Sequence, residues 1–368
     1  MITIQELLRE LCSDNVPSKP LGGCCTIAKG VQLNREGLLE AGPYPVINGG
    51  IEASGYWTES NFPANRITVS QGGASAGFVN FMHVPFWAGA HCFVLEKPVS
   101  GCSYRYLWHC LKQNQTVLMQ RKEGAGIPGL GKSTLASISI PLPPLPVQEE
   151  IVRRLDAMQD VVEALENELA LRRKQYEAVR EKIIANSEFG EEYISQLIGQ
   201  QHVNIMRGEY ITKKNSKEGN IPVILGGQEP AYYIDRYNHK GRAIVISRSG
   251  ASAGFVSFWN EPIFVTDGFA FDCDETKISI RYLFHTLKHL QGKLNQMKRG
   301  AGVPHVTGED ISGLKIPIPP LPVQKEIAKK LDAFDELVNV ALPAEIAARR
   351  RAMEAVRERF FATLEAIG

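Results

Sequence analysis

Features that mark membrane and secreted proteins are missing from this sequence. No run of about 18 uninterrupted apolar residues exists, which excludes a transmembrane helix. The first eleven residues lack a basic segment and an apolar core, so they predict a short amphipathic helix and a cytoplasmic chain rather than a signal peptide. The seven cysteines have no paired CxxC spacing, which argues against a zinc site or a disulfide framework.

Most catalytic patterns are missing as well. There is no HExxH, no Gly-rich dinucleotide fingerprint and no methyltransferase-type Asn-Pro-Pro or Asp-Pro-Pro before an aromatic residue. Residues 126–133 do satisfy the P-loop pattern G-x-x-x-x-G-K-[ST], but a basic helix is predicted before them where a P-loop needs a buried strand. We therefore expect no catalysis, no metal and no bound cofactor, with Lys132 at most contacting a phosphate.

What is present is an ordinary globular composition with an uneven charge distribution. The 368 residues are 44% hydrophobic and 22% charged, enough for two or three domains. The net charge is only +1, yet Val99–Lys122 and Lys277–Arg299 each carry several bases and no acid. Two such stretches at matching places suggest a polyanionic partner, whereas either one alone would be read as a solvated helix face.

The sequence contains an internal repeat. Gly73–Val79 recurs unchanged as Gly250–Val256, and Pro141–Gln148 recurs with one substitution as Pro317–Gln324. The offset barely changes, from 177 to 176 residues, which is far longer than the roughly 20–50 residues of solenoid repeats. The chain is therefore predicted to be a duplicated domain with a pseudo-twofold relation.

Each copy has the same predicted order of elements. A Gly-rich mixed α/β portion contains strands such as 66–70 and 243–247 and closes with a helix near 103–121 or 279–298. A proline run then forces an extended segment, and a long helix follows.

The long helices carry apolar residues at a seven-residue spacing, which is typical of a coiled coil. Pro343 should kink or divide the second helix. The economical arrangement packs the two helices together, antiparallel by the pseudo-twofold; the alternative is that each seam meets a different protein. The first seam consists of Ile151, Leu155, Met158, Val162, Leu165 and Leu169, continued by Tyr176, Val179 and Ile183, and the second of Ile327, Leu331, Phe334, Val338 and Ala341, continued by Met353, Val356 and Phe360.

These patterns together resemble one known family, the specificity subunits of type I restriction-modification systems. The shared motif is Gly-x-Gly-(Ile/Val)-Pro followed by Ile-Pro-(Leu/Ile)-Pro-Pro-Leu-Pro-Val-Gln-x-Glu-Ile-x-x-x-Leu-Asp, at 124–156 and again at 300–332. Members commonly carry Glu-Gln where this chain has Val147-Gln148 and Val323-Gln324, a small departure.

The resemblance implies two target recognition domains that each read one half of a split DNA sequence, separated by an antiparallel helical spacer. It further implies methyltransferase subunits docked on this chain, restriction subunits joined through them, and S-adenosylmethionine, ATP and Mg on those partners. The expected boundaries are 1–146 for recognition domain 1, 147–192 for spacer helix 1, 193–322 for recognition domain 2 and 323–368 for spacer helix 2.

Cationic side chains are expected to contact DNA phosphates, and glycine-permitted loops to reach base edges. Glutamine favours adenine and arginine favours guanine, so Gln71 and Arg248, at equivalent positions, predict different bases. The alternative is that Gly-Ala-Ser-Ala-Gly recurs only because it forms a turn, and that the divergent stretches 51–64 and 228–242 read the bases. The predicted phosphate contacts are Arg105, Lys112, Arg121, Lys122, Lys288, Lys298 and Arg299; the predicted base readers are Gln71, Ser75, Arg248, Ser249 and Ser252, or Tyr56, Trp57, Tyr232, Tyr233, Lys240 and Arg242.

Three other functions fit parts of the sequence. One is a DNA-recognition scaffold of the same architecture serving a methyltransferase without restriction. Another is a P-loop ATPase with a coiled-coil arm, and the last is a purely structural coiled-coil protein.

Overall fold

A computed structural model of the chain describes residues 6, 10, 11, 15–121, 129–185, 189–225, 229–300 and 303–367. The predicted N-terminal helix falls mostly outside these ranges. The chain folds into two compact units, the first made of Met1–Leu165 with Ile346–Gly368 and the second of Glu166–Glu345. In the described ranges no helix is both long enough and apolar enough to span a bilayer.

The first unit is built on a four-stranded antiparallel sheet in the order β2-β8-β5-β6. A three-stranded sheet, β4-β3-β7, contains one parallel pair, and β1 pairs with β9. The strands are β1 Ser18–Pro20, β2 Thr26–Lys29, β3 Tyr44–Ile47, β4 Tyr56–Trp57, β5 Arg66–Ser70, β6 Val79–Met82, β7 Trp87–Ala88, β8 Cys92–Glu96 and β9 Ser139–Pro141.

The helix predicted over 103–121 is two helices separated at Asn114. The Asn114 side-chain amide donates to the Cys110 carbonyl at 2.9 Å, a local bond that competes with continued helix. The helices of this part of the chain are α1 Tyr104–Gln113, α2 Gln115–Gln120, α3 Lys132–Ala136 and α4 Leu145–Ala185.

The second unit repeats this topology, with the four-stranded order β11-β17-β14-β15, the three-stranded order β13-β12-β16, and β10 paired with β18. Its closing helix is also divided, at Leu290. The strands are β10 Glu191–Tyr193, β11 Val203–Arg207, β12 Ile221–Ile224, β13 Tyr232–Ile234, β14 Ala243–Ser247, β15 Val256–Trp259, β16 Phe264–Val265, β17 Gly268–Cys273 and β18 Lys315–Pro317; the helices are α5 Ile194–Gly199, α6 Ile280–His289, α7 Gln291–Gln296, α8 Gly308–Ser312, α9 Leu321–Glu336 and α10 Leu342–Ile367.

The continuous apolar run of β14 reflects a sheet covered on both faces. Ile244 and Ile246 pack in the cluster that includes helix α6, whereas Ala243 and Val245 pack on the opposite face with Ile224 of the smaller sheet. All five residues of the strand are buried. The central strand therefore has a hydrophobic sequence without alternation and cannot slip in register without losing core contacts.

The apolar seams of the long helices are buried against each other within each unit. In the first unit, Ile151 and Leu155 of α4 share a core cluster with Phe360 and Leu364 of α10. In the second, Tyr176 and Val179 of α4 join Leu331 and Phe334 of α9. Early α4 thus pairs with the end of the chain and late α4 with α9, which is the order of an antiparallel pair. The prediction that the helices pack together is confirmed.

The second long helix is divided where Pro343 predicted a disturbance. A π-helical turn, Leu337–Ala341, precedes α10, since a proline ring displaces the carbonyl of the residue four positions earlier. The wider turn shifts the seam by one residue, so Ala341, predicted to be inside, is exposed and Leu342 is buried instead. The first helix also differs from its expected range 147–192, because Glu191–Tyr193 pair as a strand.

A buried glutamine at the start of each long helix ties it to the globular portion. Gln148 accepts a hydrogen bond from the Ser103 amide at 2.9 Å and donates to the carbonyls of Gly101 and Pro143. Gln324 accepts in the same way from the Ser279 amide at 2.9 Å. This explains why glutamine follows the proline run in both copies.

Two turns further along, an aspartate receives an arginine and a histidine from the helix that closes the sheet. In the first unit, Arg105 Nε lies 3.0 Å from both carboxylate oxygens of Asp156, and His109 Nε2 lies 2.8 Å from Oδ1. In the second unit, Arg281 Nη2 and His285 Nε2 each lie 2.6 Å from Asp332 Oδ1. We call these two arrangements the aspartate clamps.

Burial of the clamp histidine makes stability fall on mild acidification. Burial lowers the pKa of His109, outweighing the opposite effect of Asp156, and the nearby Arg105 and Arg357 lower it further. The unfolded chain therefore binds more protons than the folded chain below about pH 6.5, so the free energy of unfolding decreases between pH 7 and pH 5. Chemical denaturation at each pH measures this slope.

His109→Gln keeps a donor toward Asp156 but does not titrate, so its slope between pH 7 and pH 5 is expected to be shallower than that of the unmodified chain. An unchanged slope would remove His109 from this account.

Candidate nucleic-acid interface

The repeated glycine-rich segment of the first unit is a tight loop between β5 and β6. The Gln71 amide donates to the His91 carbonyl at 2.9 Å, and the Gln71 carbonyl accepts from Leu130 at 2.7 Å. Gly73 and Gly77 have φ of +76° and +92°, in the region that favours glycine. The loop is therefore held at one edge of the sheet by two neighbouring segments.

The second unit holds its copy of the loop in the same way. The Arg248 amide donates to the Asp267 carbonyl at 3.0 Å, and the Arg248 carbonyl accepts from Val306 at 2.9 Å. Gly250 and Gly254 again have positive φ, +81° and +80°. The equal bonding and the positive φ values show that the repeated motif forms the same turn in both copies, whereas the residue at position 71 or 248 differs.

Predicted base readers and phosphate contacts of the second unit meet at this loop. Arg248 Nη1 lies 3.5 Å from Asp267, and Ser249 Oγ donates to the other oxygen of the same carboxylate. Lys298 donates to the Ala251 carbonyl at 3.0 Å. Arg299 pairs with Asp310 at 2.9 Å and keeps 73% of its side chain exposed. The loop and the residues beside it therefore carry cationic side chains whose orientations are fixed by these partners.

The first unit has a different chemistry at the equivalent positions. Gln71 stands where the second unit has Arg248, and His91 stands where it has Asp267. The Gln71 side-chain oxygen is buried and has no hydrogen-bond partner among the described residues. Ser75, like Ser252 in the second unit, is half-buried within the turn. At the same position of the equivalent loops, the first unit therefore has an amide side chain, Gln71, and the second has a guanidinium paired with a carboxylate, Arg248.

Three of the predicted phosphate contacts have partners inside their own units. Arg105 forms part of an aspartate clamp and lies 4.0 Å from the Trp108 ring centroid. Lys112 lies 4.6 Å from the Phe78 ring and donates to Gln115 at 2.9 Å. Burial, with the charge of Arg357, lowers the pKa of Lys112 to about 8.

Lys288 repeats the arrangement of Lys112. It donates to Val256 and Gln291, both at 3.0 Å, and burial lowers its pKa to about 8. Some of the basic residues in these acid-free helices therefore contribute to packing against the sheets.

The other predicted phosphate contacts are more open. Arg121 and Lys132 are exposed, whereas Lys122 lies outside the described residues. Lys132 begins the single-turn helix α3, and helix α2, not a strand, comes before the segment in the part that is described. This order does not match that of a P-loop. Within the described ranges, no group of three or more His, Cys, Asp or Glu could hold a metal ion.

The divergent stretches lie elsewhere in each unit. Tyr56 and Trp57 form β4 of the three-stranded sheet and are half-buried. Lys240 is exposed, and Arg242 pairs with Glu275 at 3.1 Å. Arg242 precedes β14 and Arg248 follows it, so about 20 Å of extended chain separates the two residues. Arg242 therefore does not lie at the glycine-rich loop.

The turn also satisfies G-x-S-x-G, the pattern of a hydrolase nucleophile elbow. That elbow requires a strand that turns directly into a helix, with the serine exposed at the turn. Here the segment joins two antiparallel strands, β5 to β6 and β14 to β15. The serines therefore lack the backbone geometry of a hydrolase.

Sequence inspection also missed the carboxylates and histidines that contact the predicted base readers. Asp267 orients Arg248, and His305 bridges to Ser249 and Arg299 through backbone pairs. The repeat could have identified Asp267, because it aligns Asp267 with His91, which lies 176 residues earlier at the same place in the first unit.

Comparisons with known proteins find relatives in one family. The family model for the type I restriction modification DNA specificity domain matches residues 14–171 and 202–348. A relative described as a type I restriction enzyme specificity subunit, from Haemophilus influenzae, is 31% identical over 305 residues, covering 74% of this chain and 75% of the relative. The EcoprrI specificity subunit of Escherichia coli is 25% identical, with 76% and 73% covered.

Solved structures show the same fold. The crystal structure of a type I S subunit from M. genitalium matches with a TM-score of 0.68 at 20% identity, over 95% of this chain and 96% of that one. A chain from a structure describing assembly and conformational transition of a type I system matches with a TM-score of 0.54 at 16% identity, over 94% and 98%. By its matched domains and relatives, the chain belongs to the type I restriction-modification DNA specificity family.

Proposed function

We propose that this chain is the DNA-specificity subunit of a cytoplasmic type I restriction-modification enzyme. Each unit binds one half of a two-part DNA sequence, and the paired helices set the distance between the halves. The observation that carries this proposal is the pair of structurally equivalent loops that present different side chains, Gln71 with His91 and Arg248 with Asp267. Two copies of one fold with different side chains at the equivalent loops suit a DNA target whose two halves differ in sequence.

In this proposal the chain positions DNA and its partners perform the chemistry. Methyltransferase subunits dock on the helices, restriction subunits join through them, and S-adenosylmethionine, ATP and Mg belong to those subunits. The exposed cations Arg121, Lys132 and Arg299, together with Lys298, contact phosphates, which supplies affinity without sequence information.

The experiment that tests this function is mapping methylated bases in DNA from cells that express this chain with its methyltransferase subunits. The expected result is one motif with two specified parts and an unread gap of constant length. A continuous motif, or methylation without sequence preference, would contradict the proposal.

Arg248→Gln is expected to change base preference in one half of that motif only. A bidentate arginine contact to guanine contributes about 1–3 kcal/mol of discrimination, so preference for the original base should fall by roughly one to two orders of magnitude. Competition binding with duplexes substituted at each position measures it, using the chain in complex with its methyltransferase subunits.

Lys298→Gln is the matched comparison, because loss of a phosphate contact weakens binding to all sequences about equally and makes binding less dependent on salt. If Arg248→Gln behaves like Lys298→Gln, with affinity lowered and preference unchanged, Arg248 does not read a base.

A further inference from the structure

The aspartate clamps attach each globular portion to its long helix at a second point. The buried Gln148 holds the N-terminus of α1 at the first turn of α4, and Asp156 holds the same helix eight residues further along, about 12 Å away. A single attachment would leave α1 able to rotate on the long helix. Two attachments on one helix fix its angle, and the second unit repeats both with Gln324 and Asp332.

The hydrogen bonds of the aspartate clamps constrain the orientation of the groups that they join. His109 and His285 are fully buried, whereas Asp156 and Asp332 keep 30% and 38% of their side chains exposed. Burial opposes ionisation of both carboxyls, yet the histidine hydrogen bond and the arginine charge lower the pKa of Asp156 and of Asp332. Apolar packing tolerates small rotations, but a carboxylate shared between a planar guanidinium and an imidazole permits few orientations.

The two clamps are not equally reinforced. In the second unit, His285 Nδ1 lies 3.3 Å from the Tyr176 hydroxyl on α4, which also lies 3.4 Å from Asp335. In the first unit, His109 Nδ1 is buried without a hydrogen-bond partner among the residues described. Asp156 is therefore the only hydrogen-bond partner of the His109 ring among the residues that the structure describes, and its loss should matter more than that of Asp332.

We propose that Asp156 and Asp332 are positioning residues. Acting through Arg105 with His109 and Arg281 with His285, they hold each recognition domain at one angle to the spacer helices. They thereby restrict the number of base pairs accepted between the two half-sites. This inference rests on the proposed function and adds to it the residues that set the precision of the spacing.

The test uses the full chain in complex with its methyltransferase subunits and duplexes that carry the mapped half-sites with the native gap or with one base pair more or fewer. The measured quantity is gap selectivity, the ratio of methyl-transfer rates at the native and altered gaps. Asp156→Asn should lower gap selectivity at least fivefold, and Asp332→Asn should lower it less. Glu326→Gln, which removes an exposed ion pair with Lys330 on α9, should leave it within twofold.

Arg105→Lys keeps the positive charge but loses the guanidinium fork, and it gives the same readout if Asp156→Asn does not fold. Gap selectivity within twofold of the unmodified chain in the folded variant, or equal rate losses at every gap, would overturn the positioning role. An unmodified complex without any gap preference would instead overturn the proposed function itself.

Discussion

Replacing Phe361 by alanine is expected to destabilise the first unit by about 3–5 kcal/mol. The Phe361 side chain is 3% exposed, and its ring centroid lies 5.9 Å from that of Tyr106. It belongs to a core cluster that also contains Ile151 and Leu155 of α4. Truncation leaves a cavity where the end of the chain, the first long helix and the globular portion meet, and urea unfolding followed by circular dichroism measures the loss.

Val161→Ala is the matched control. Val161 lies on α4 in the same unit but is 45% exposed, so its truncation should change stability by no more than about 0.5 kcal/mol. If Phe361→Ala costs no more than Val161→Ala, the C-terminal helix is not part of the core of the first unit.

Gly77→Ala is expected to cost about 2–4 kcal/mol, the second largest effect. A Cβ at Gly77 would lie 2.6 Å from the Leu118 carbonyl carbon and the Met119 nitrogen, both backbone atoms that cannot rotate away. The φ of +92° adds the penalty of a left-handed conformation. Thermal unfolding of the variants measures the loss.

Three other glycines separate the two causes. Gly254 has a positive φ but looser contacts, at 3.1 Å, and Gly73 has a positive φ and no atom within 4 Å of the added carbon. The cost should therefore decrease in the order Gly77, Gly254, Gly73. Gly292→Ala, in helix α7 and open space, should stabilise by about 0.5–1 kcal/mol. Equal costs at Gly77 and Gly73 would show that the close backbone contact does not matter.

The duplication made much of this fold predictable from the sequence. Strands 66–70 and 243–247 form as expected, because short runs rich in β-branched residues and bounded by turns are typical of strands. The pairing of the long helices followed from heptad spacing. The breaks at Asn114 and Leu290 and the π-turn before Pro343 did not, since each depends on hydrogen bonds within one turn of helix rather than on periodicity.

The surroundings of the candidate interface residues were only partly predictable, for a related reason. The sequence identified the loop and its variable residue, Gln71 or Arg248, because they stand beside an unchanged motif. It could not show that Arg105 and Lys112, in an acid-free stretch, lie against aromatic rings, since their partners are distant in sequence. Asp156 lay within the family motif, yet its pairing with Arg105 and His109 required the folded unit.

The central claim is that each unit reads its own half of the DNA target. Its most direct test exchanges residues 20–140 for those of a family member with a different known motif and maps methylated bases in cells expressing the hybrid with its methyltransferase subunits. The account predicts that one half of the motif changes while the other half keeps its sequence. A hybrid that alters both halves, or neither, would contradict it.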